Sequence, residues 1–315
     1  MFFLIDELTS RRVNNLLIRL LVNISTCLLV YLFCACGHKT EYSQTEKIYF
    51  TWTDSYGREI VLEKQPERIV SLSPGITEMV FLLESEDKLV GITDFCKYPP
   101  ETERITRVGG MQNFSVEHLV SLAPDVVIIG SIVRKEDVEK IEAMNIPVIA
   151  IKEEEKIEGI YHALDVLGRI LGKEKNATEE IEVLKEKMAK INTDISDTSS
   201  RPSLYYVVGY NDAGDFTAPA GTHIHEILTL AGGRNIGAGL KSWGMSREFL
   251  FQEDPDYIVI RKEDVEHFTK TYPYTGLSAV IHGRVIPIES GWIDIVSPRN
   301  IWATEHINAE IKRKK

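Results

Sequence analysis

A chain of 315 residues, 43% hydrophobic and 26% charged, has the composition of a globular protein, long enough for one large domain or two of ordinary size. Its 36 basic residues against 47 acidic ones give a formal net charge of −11. That balance excludes nucleic acid as a partner and argues against broad electrostatic contact with an anionic membrane surface.

The chain opens on Arg11, Arg12 and Arg19, followed by an apolar run from Leu20 to Phe33 and then Cys34-Ala35-Cys36. A basic stretch, a short apolar core and a small residue before the cut describe a secretory signal over residues 1–35, too short for a comfortable membrane span. The cysteine directly after Ala35 makes this segment resemble a bacterial lipoprotein signal, with Cys36 lipidated as the mature N-terminus. Removing residues 1–35 leaves 33 basic against 45 acidic residues, a net charge of −12. Cys27, Cys34 and Cys36 belong to this N-terminal segment, so Cys96 is the lone thiol of the folded part. An exported protein without an intramolecular disulfide must draw its stability from core burial.

Residues 36–46 are polar and aperiodic and read as a tether. From residue 47 the pattern becomes regular. Ile48–Trp52 and Glu59–Leu62 predict a hairpin turning at Gly57. Arg68–Leu72 predicts a strand, Thr77–Leu83 a helix, and Leu89–Ile92 a second strand running into the loop Thr93–Pro100. A charged helix over Lys135–Met144 and a strand over Pro147–Ile151 follow, with Glu153-Glu154-Glu155 as a solvated face. Strands alternating with helices indicate a parallel sheet with crossover connections. Ile157–Leu171 has apolar residues at helical spacing, and no glycine or proline occurs from Lys173 to Thr193. About 20 such residues make a strut of about 30 Å. A second alternation starts after Asp197–Pro202, with a strand over Ser203–Val208, a loop over Gly209–Gly221 and a helix over Ile224–Leu230. The expected organisation is an α/β lobe over 47–172, a connecting helix over 173–196 and a second α/β lobe over 197–315.

One pattern occurs twice, 131 positions apart. Ser115, Glu117, Leu119, Pro124 and Asp125 recur as Ser246, Glu248, Leu250, Pro255 and Asp256, and an apolar β-branched run follows each Pro-Asp. Each copy predicts a serine-capped helix with a glutamate in its first turn, where the helix dipole favours a carboxylate, and then a buried strand. A single Ser-x-Glu is an ordinary capping signature. Two at matched offsets point to two similar units, each presenting a glutamate at a helix start.

Pro66-Glu-Arg-Ile-Val-Ser-Leu-Ser-Pro74, Thr77-Glu78, Val90-Gly-Ile-Thr93, Tyr98-Pro-Pro-Glu101 and Val108-Gly-Gly110 together resemble the periplasmic binding proteins that serve ABC importers of vitamin B12, ferric siderophores and haem. Pro219-x-Gly221, Leu230-Ala-Gly-Gly-x-Asn235 and Ser242-Trp243-x-x-Ser246-x-Glu248 continue the likeness in order. It covers the chain after about residue 60 and is nearest to the vitamin B12 binders. The resemblance implies two Rossmann-like α/β lobes joined by one long rigid helix, the class III fold. It further implies a metal-chelate ligand in the inter-lobe cleft, no enzymatic activity and no resident cofactor. The implied setting is a monomer held to the outer side of a membrane by its lipid, delivering to a permease dimer with its ATPase.

Residue by residue, the resemblance places Pro74, Phe95, Tyr98, Met111, Phe216, Trp243, Trp292 and Asp294 at the ligand, and Glu117 and Glu248 at the permease. Flat amphipathic rings suit a corrin or porphyrin. Met111 and Gly130 stand where vitamin B12 binders carry tryptophans. Gly291 and Ile295 replace the aspartate and arginine that hold the vitamin's lower base, while Ser297-Pro298-Arg299 is kept. Each ring can instead serve the core, Trp292 and Tyr98 above all. His223 and His225 flank Ile224, but no HExxH or multi-cysteine cluster accompanies them, so no metal site is expected. Cys96 has no recognisable histidine partner and reads as a loop thiol. The runner-up ligand is a ferric siderophore or haem. A lipoprotein enzyme or a structural surface protein is the competing class, and no Gly-x-Ser-x-Gly elbow or phosphate loop supports an enzyme.

Overall fold

The doubled pattern of the sequence becomes a doubled sheet in the computed structural model, which describes residues 48–130, 133–152, 156–192, 201–211 and 214–313. The expected signal over 1–35, Cys36, the tether, Glu153–Glu155 and residues 193–200 lie outside the described residues. A hairpin of β1 (Phe50–Thr53) and β2 (Glu59–Leu62) precedes the first sheet, turning at Gly57 with φ 75°. The first α/β unit then runs β3 (Ile69–Ser71), α1 (Pro74–Leu82), β4 (Leu89–Ile92), α2 (Val116–Ser121), β5 (Val126–Ile129), α3 (Lys135–Glu142) and β6 (Val148–Ala150). Helix α1 starts three residues earlier than the apolar spacing implies. Pro74 supplies a preset φ at its first turn, and the Ser73 hydroxyl accepts from the Ile76 amide.

Two helices follow, α4 (Ile157–Leu171) and α5 (Glu174–Asn192), separated by Gly172 in the left-handed conformation at φ 67°. They pack closely: a Cβ on Gly168 would stand 2.5 Å from that of Ala177. Along α5, Ala177, Leu184, Met188 and Ile191 are buried, one apolar stripe at helical spacing. At 1.5 Å per residue this helix is about 29 Å long.

The second unit runs β7 (Ser203–Tyr206), β8 (Gly209–Asn211), β9 (Gly214–Phe216), α6 (His223–Leu230), β10 (Arg234–Asn235), β11 (Gly244–Met245), α7 (Arg247–Glu253), β12 (Tyr257–Arg261), α8 (Val265–Lys270), α9 (Ser278–Ile281), β13 (Val285–Ile288) and α10 (Arg299–Arg313). The segment expected as a loop over Gly209–Gly221 instead contains β8 and β9. Their pairing is completed by β11, in a small antiparallel sheet of order β11-β9-β8.

The two main sheets are parallel and share one strand order. The first is β4-β3-β5-β6 and the second β10-β7-β12-β13. Counting only the strands of each parallel sheet in chain order, the second lies outside the first, and the third and fourth follow on the other side. Residues of β3 and β5 and the first four of β12 are all buried. That is why these strands read as unbroken apolar runs rather than alternations.

The repeat has a specific structural job at both places. Ser115 and Ser246 each accept a hydrogen bond at 3.1 Å, from the His118 and Phe249 amides. Each helix leaves through a positive φ, 45° at Ala123 and 33° at Asp254. The aspartate after each proline then ties its unit to the start of the first strand. Asp125 Oδ2 accepts from the Glu67 and Arg68 amides at 2.9 and 3.0 Å, and Asp256 Oδ2 from the Ser203 amide and hydroxyl at 2.7 and 2.8 Å.

Asp256→Ala should cost about 1–3 kcal/mol in urea unfolding, because the Ser203 amide loses its partner. Asp125 adds a pH signature. Partial burial raises its pKa, but the Glu67 and Arg68 amides and Lys64 outweigh that and hold the carboxyl below the usual range. Its contribution is therefore present above the unfolded-state pKa and is lost as pH falls through the lower folded value. Asp125→Asn should flatten that acid limb of a stability-against-pH curve; an unchanged limb contradicts the assignment.

Candidate functional site

In parallel α/β sheets the carboxyl ends of the strands open onto the crevice where ligands bind. Loops leaving those ends carry most of the expected ligand residues. In the first unit the loop after β4 is tied to the segment before α2. The Asp94 amide donates to the Gly109 carbonyl at 2.9 Å, and bridges join Ile92 to Arg107 and Gly109 to Phe114. Phe95, 52% exposed, lies over this segment, its ring 3.4 Å from where a Cβ on Gly110 would stand. Phe95 and the half-buried Met111 therefore belong to one wall.

The second unit builds a wall from its small sheet. Phe216 of β9 pairs with Gly244 of β11, and the Thr217 amide donates to the Trp243 carbonyl at 2.9 Å. Gly209 and Gly244 flank the Phe216 ring, with would-be Cβ positions 3.7 and 3.8 Å from it. Their lack of side chains leaves the ring room to lie across the sheet. Trp243, 41% exposed, stands at the same edge. Asp215 and Thr217, on the opposite side of β9, are fully buried.

The other expected residues have different surroundings. Pro74 is buried at the first turn of α1. Trp292 is half-buried, edge-on to Trp302 at 6.1 Å and to His306 at 6.2 Å, so it packs against α10. Asp294 accepts from the Tyr206 hydroxyl at 2.7 Å and has Arg261 Nη1 at 3.8 Å. Burial and the Asp294 charge push the Tyr206 hydroxyl well above its ordinary pKa, so it stays a donor. Arg261, at the carboxyl end of β12, escaped the sequence reading.

Glu117 and Glu248 are both exposed at the first turns of α2 and α7. The Glu248 backbone amide and the Ser246 hydroxyl hold the Glu248 carboxyl below the usual range. Cys96 lies in the loop after β4, as expected, and its thiol is buried. It is 1% exposed, 3.2 Å from Thr77 Oγ1 and 3.3 Å from Thr93 Oγ1, and burial pushes its pKa up. Among the described residues no group of three His, Cys, Asp or Glu could hold a metal ion.

A buried ion pair joins the two units. Arg299, at the start of α10, makes a two-pronged ion pair with Glu78 of α1, one contact being Nε to Oε2 at 2.8 Å, and each side chain is 5% exposed. The Arg299 guanidinium also lies 4.3 Å from the Tyr98 ring centroid, placing Tyr98 at this junction. Gly291 closes the other side: at φ 78°, a Cβ there would stand 3.0 Å from Arg299 Nη2. Burial raises the Glu78 pKa, against the lowering pull of Arg299 and Ser297. Glu78 and Arg299 were visible only as motif letters. The usable signal was a glutamate amid the apolar Ile76, Met79 and Val80.

Comparison with known proteins places the architecture. A profile of periplasmic binding proteins matches residues 69–290. The uncharacterized ABC transporter substrate-binding lipoprotein YvrC of Bacillus subtilis (strain 168) is 27% identical over 278 residues, 85% of this chain and 87% of that protein. The vitamin B12-binding protein of Salmonella typhi is 29% identical over 245 residues, covering 76% and 88%. The solved periplasmic heme-binding protein BhuT in complex with two hemes superposes with a TM-score of 0.70 at 17% identity, covering 78% of this chain and 98% of that one. The fold is thus the α/β class III periplasmic binding protein type.

Replacing Arg299 by Met should cost about 3–5 kcal/mol at neutral pH, since it strands a buried carboxylate. Adding Glu78→Gln to that variant should restore part of the loss. Urea unfolding of the two single variants and the double measures the coupling, and strict additivity contradicts a direct pair.

Proposed function

Because the chain belongs to the periplasmic binding protein family, we propose that it captures a corrinoid of the vitamin B12 type between its two units and hands it to the permease of an ABC importer. As a family member it is an extracytoplasmic substrate-binding component of transport and not an enzyme. The observation that carries the ligand reading is the pair of walls at the strand ends, Phe95 with Met111 and Phe216 with Trp243. Exposed rings of this kind bury a large planar ligand at low entropy cost. The Salmonella relative's vitamin B12 name supports a corrinoid in particular. The lipoprotein name of the Bacillus relative supports a lipid at Cys36. The three chains usual in bacterial lipoproteins would hold far better than the weak binding of one.

Haem or a ferric siderophore is the second reading. It is favoured by Gly291, whose positive φ and close packing on Arg299 disfavour an acid there to hold a nucleotide base. An absorbance titration of the mature protein with cobalamin, cobinamide, haemin and ferric siderophores decides between them. Cobinamide should bind within about tenfold of cobalamin, a difference of at most about 1.4 kcal/mol, and Trp243→Ala should weaken both. Binding of haemin or a siderophore with neither corrinoid sinks the first reading.

Glu117 and Glu248 are proposed as the two points of contact with the permease dimer, one from each unit. Exposed carboxylates at helix starts contribute little to folding, while across an interface they orient and steer encounter in a salt-dependent way. The double alanine variant should keep its ligand affinity and melting temperature and lose uptake through the cognate importer. Normal uptake by that variant reduces both residues to helix caps.

A further inference from the structure

A pocket of about 340 Å³, whose lining includes none of Phe95, Met111, Phe216 and Trp243, lies between α1, the Tyr98–Glu101 loop and the start of α10. Its volume falls at the small end of the range for ligand sites. Phe81, Leu82 and Pro99 of the first unit and Pro298 and Trp302 of the second give it an apolar lining. Glu86 and Glu101 are exposed residues that also line it. Neither has an ion-pair partner among the described residues. The lining's one cation, Arg299, is already matched by Glu78, so the pocket holds two carboxylates in surplus.

The same pocket shows what chemistry it accepts. Arg299 is a planar cation stacked 4.3 Å from the Tyr98 ring centroid and neutralised by a carboxylate. The rest of the pocket repeats those ingredients without an internal cation. The Trp302 ring is held edge-on by Trp292 at 71° between planes, and Glu86 and Glu101 supply the counter-charge. A tryptophan face is the best of the aromatic cation acceptors. Two carboxylates without a third ligand make a poor metal site, and no metal-holding group of three occurs among the described residues. Surplus negative charge also disfavours an anion.

We propose that this pocket is a second ligand site, taking a small organic cation with an apolar body, an amine or guanidinium compound, between Trp302 and the Glu86 and Glu101 carboxylates. Since α1 comes from one unit and α10 from the other, an occupant touches both sides of the Glu78–Arg299 pair. It would brace the units against each other.

The test uses the mature protein and benzyltrimethylammonium, with uncharged neopentylbenzene as its matched analogue, in ligand-observed NMR at low salt. The cation should bind, at least about tenfold more tightly than the neutral analogue, and lose affinity as salt rises. Glu86→Gln with Glu101→Gln, two exposed changes that leave the core alone, should weaken the cation about tenfold and leave the neutral analogue unaffected. Trp302→Leu should weaken both, with thermal melts confirming the fold. No detectable binding of the cation, equal binding of cation and analogue, or an unchanged affinity in the double glutamine variant overturns the proposal. None of these arms uses a corrinoid or haem, so they stand apart from the transport reading.

Discussion

The pairing of Glu78 with Arg299 joins residues 221 positions apart, and both side chains are almost wholly buried. Two ions taken from water are costly, and their attraction offsets that cost only when geometry is good and the remaining donors are used. Here the guanidinium meets the carboxylate through two nitrogens, donates to the Ser290 carbonyl at 3.3 Å and covers the Tyr98 ring. Several neighbouring features follow from it. Tyr98 is fixed as its lid, Gly291 is required beneath it, and α1 and α10 are brought side by side. The apolar packing around it is continuous with the core of the first unit, where Ile301 of α10 joins Ile76 and Met79 of α1.

Around that junction the chain builds the same unit twice. Strand order, serine caps, left-handed helix exits and Pro-Asp ties agree in both halves. The aspartate shows why the pattern is longer than a helix cap needs. A capped helix requires only the serine; a first strand held in register with the third requires the carboxylate that closes on its opening amide. The two halves differ in what they add. The second inserts a three-stranded antiparallel sheet that carries its aromatic wall, whereas the first makes its wall from loops laced by single bridges.

How far the sequence foretold this depends on whether the deciding contact was local. Strands β3, β5 and β12 were legible because burial on both faces makes them continuously apolar. Ser115 and Ser246 were legible because a cap acts three residues away. The β8–β9 hairpin was read as a loop because Gly-Tyr-Asn and Gly-Asp-Phe have little strand preference of their own. Their pairing is completed by Gly244 and Met245, far along the chain. Cys96 was legible as a loop thiol, but its burial was not, because only the approach of Thr77 and Thr93 turns it inward. Glu78 carried only the mark of a glutamate amid apolar residues, and nothing local named Arg299 as its partner. Packing roles for Trp292 and Tyr98 were more accessible, because a ring beside prolines or a helix start has few other places to go.

Gly291 gives this arrangement an evolutionary corollary. Its left-handed backbone and its closeness to Arg299 mean that any side chain introduced there must both strain the chain and displace the guanidinium. Selection for a new ligand contact at this position cannot proceed by a single substitution that leaves the rest intact. The first step would unsettle the clasp between the halves before any benefit in recognition appeared. On the proposed ligand site, diversification of specificity is therefore steered towards positions such as Phe95, Met111 and Trp243, which are exposed or half-buried.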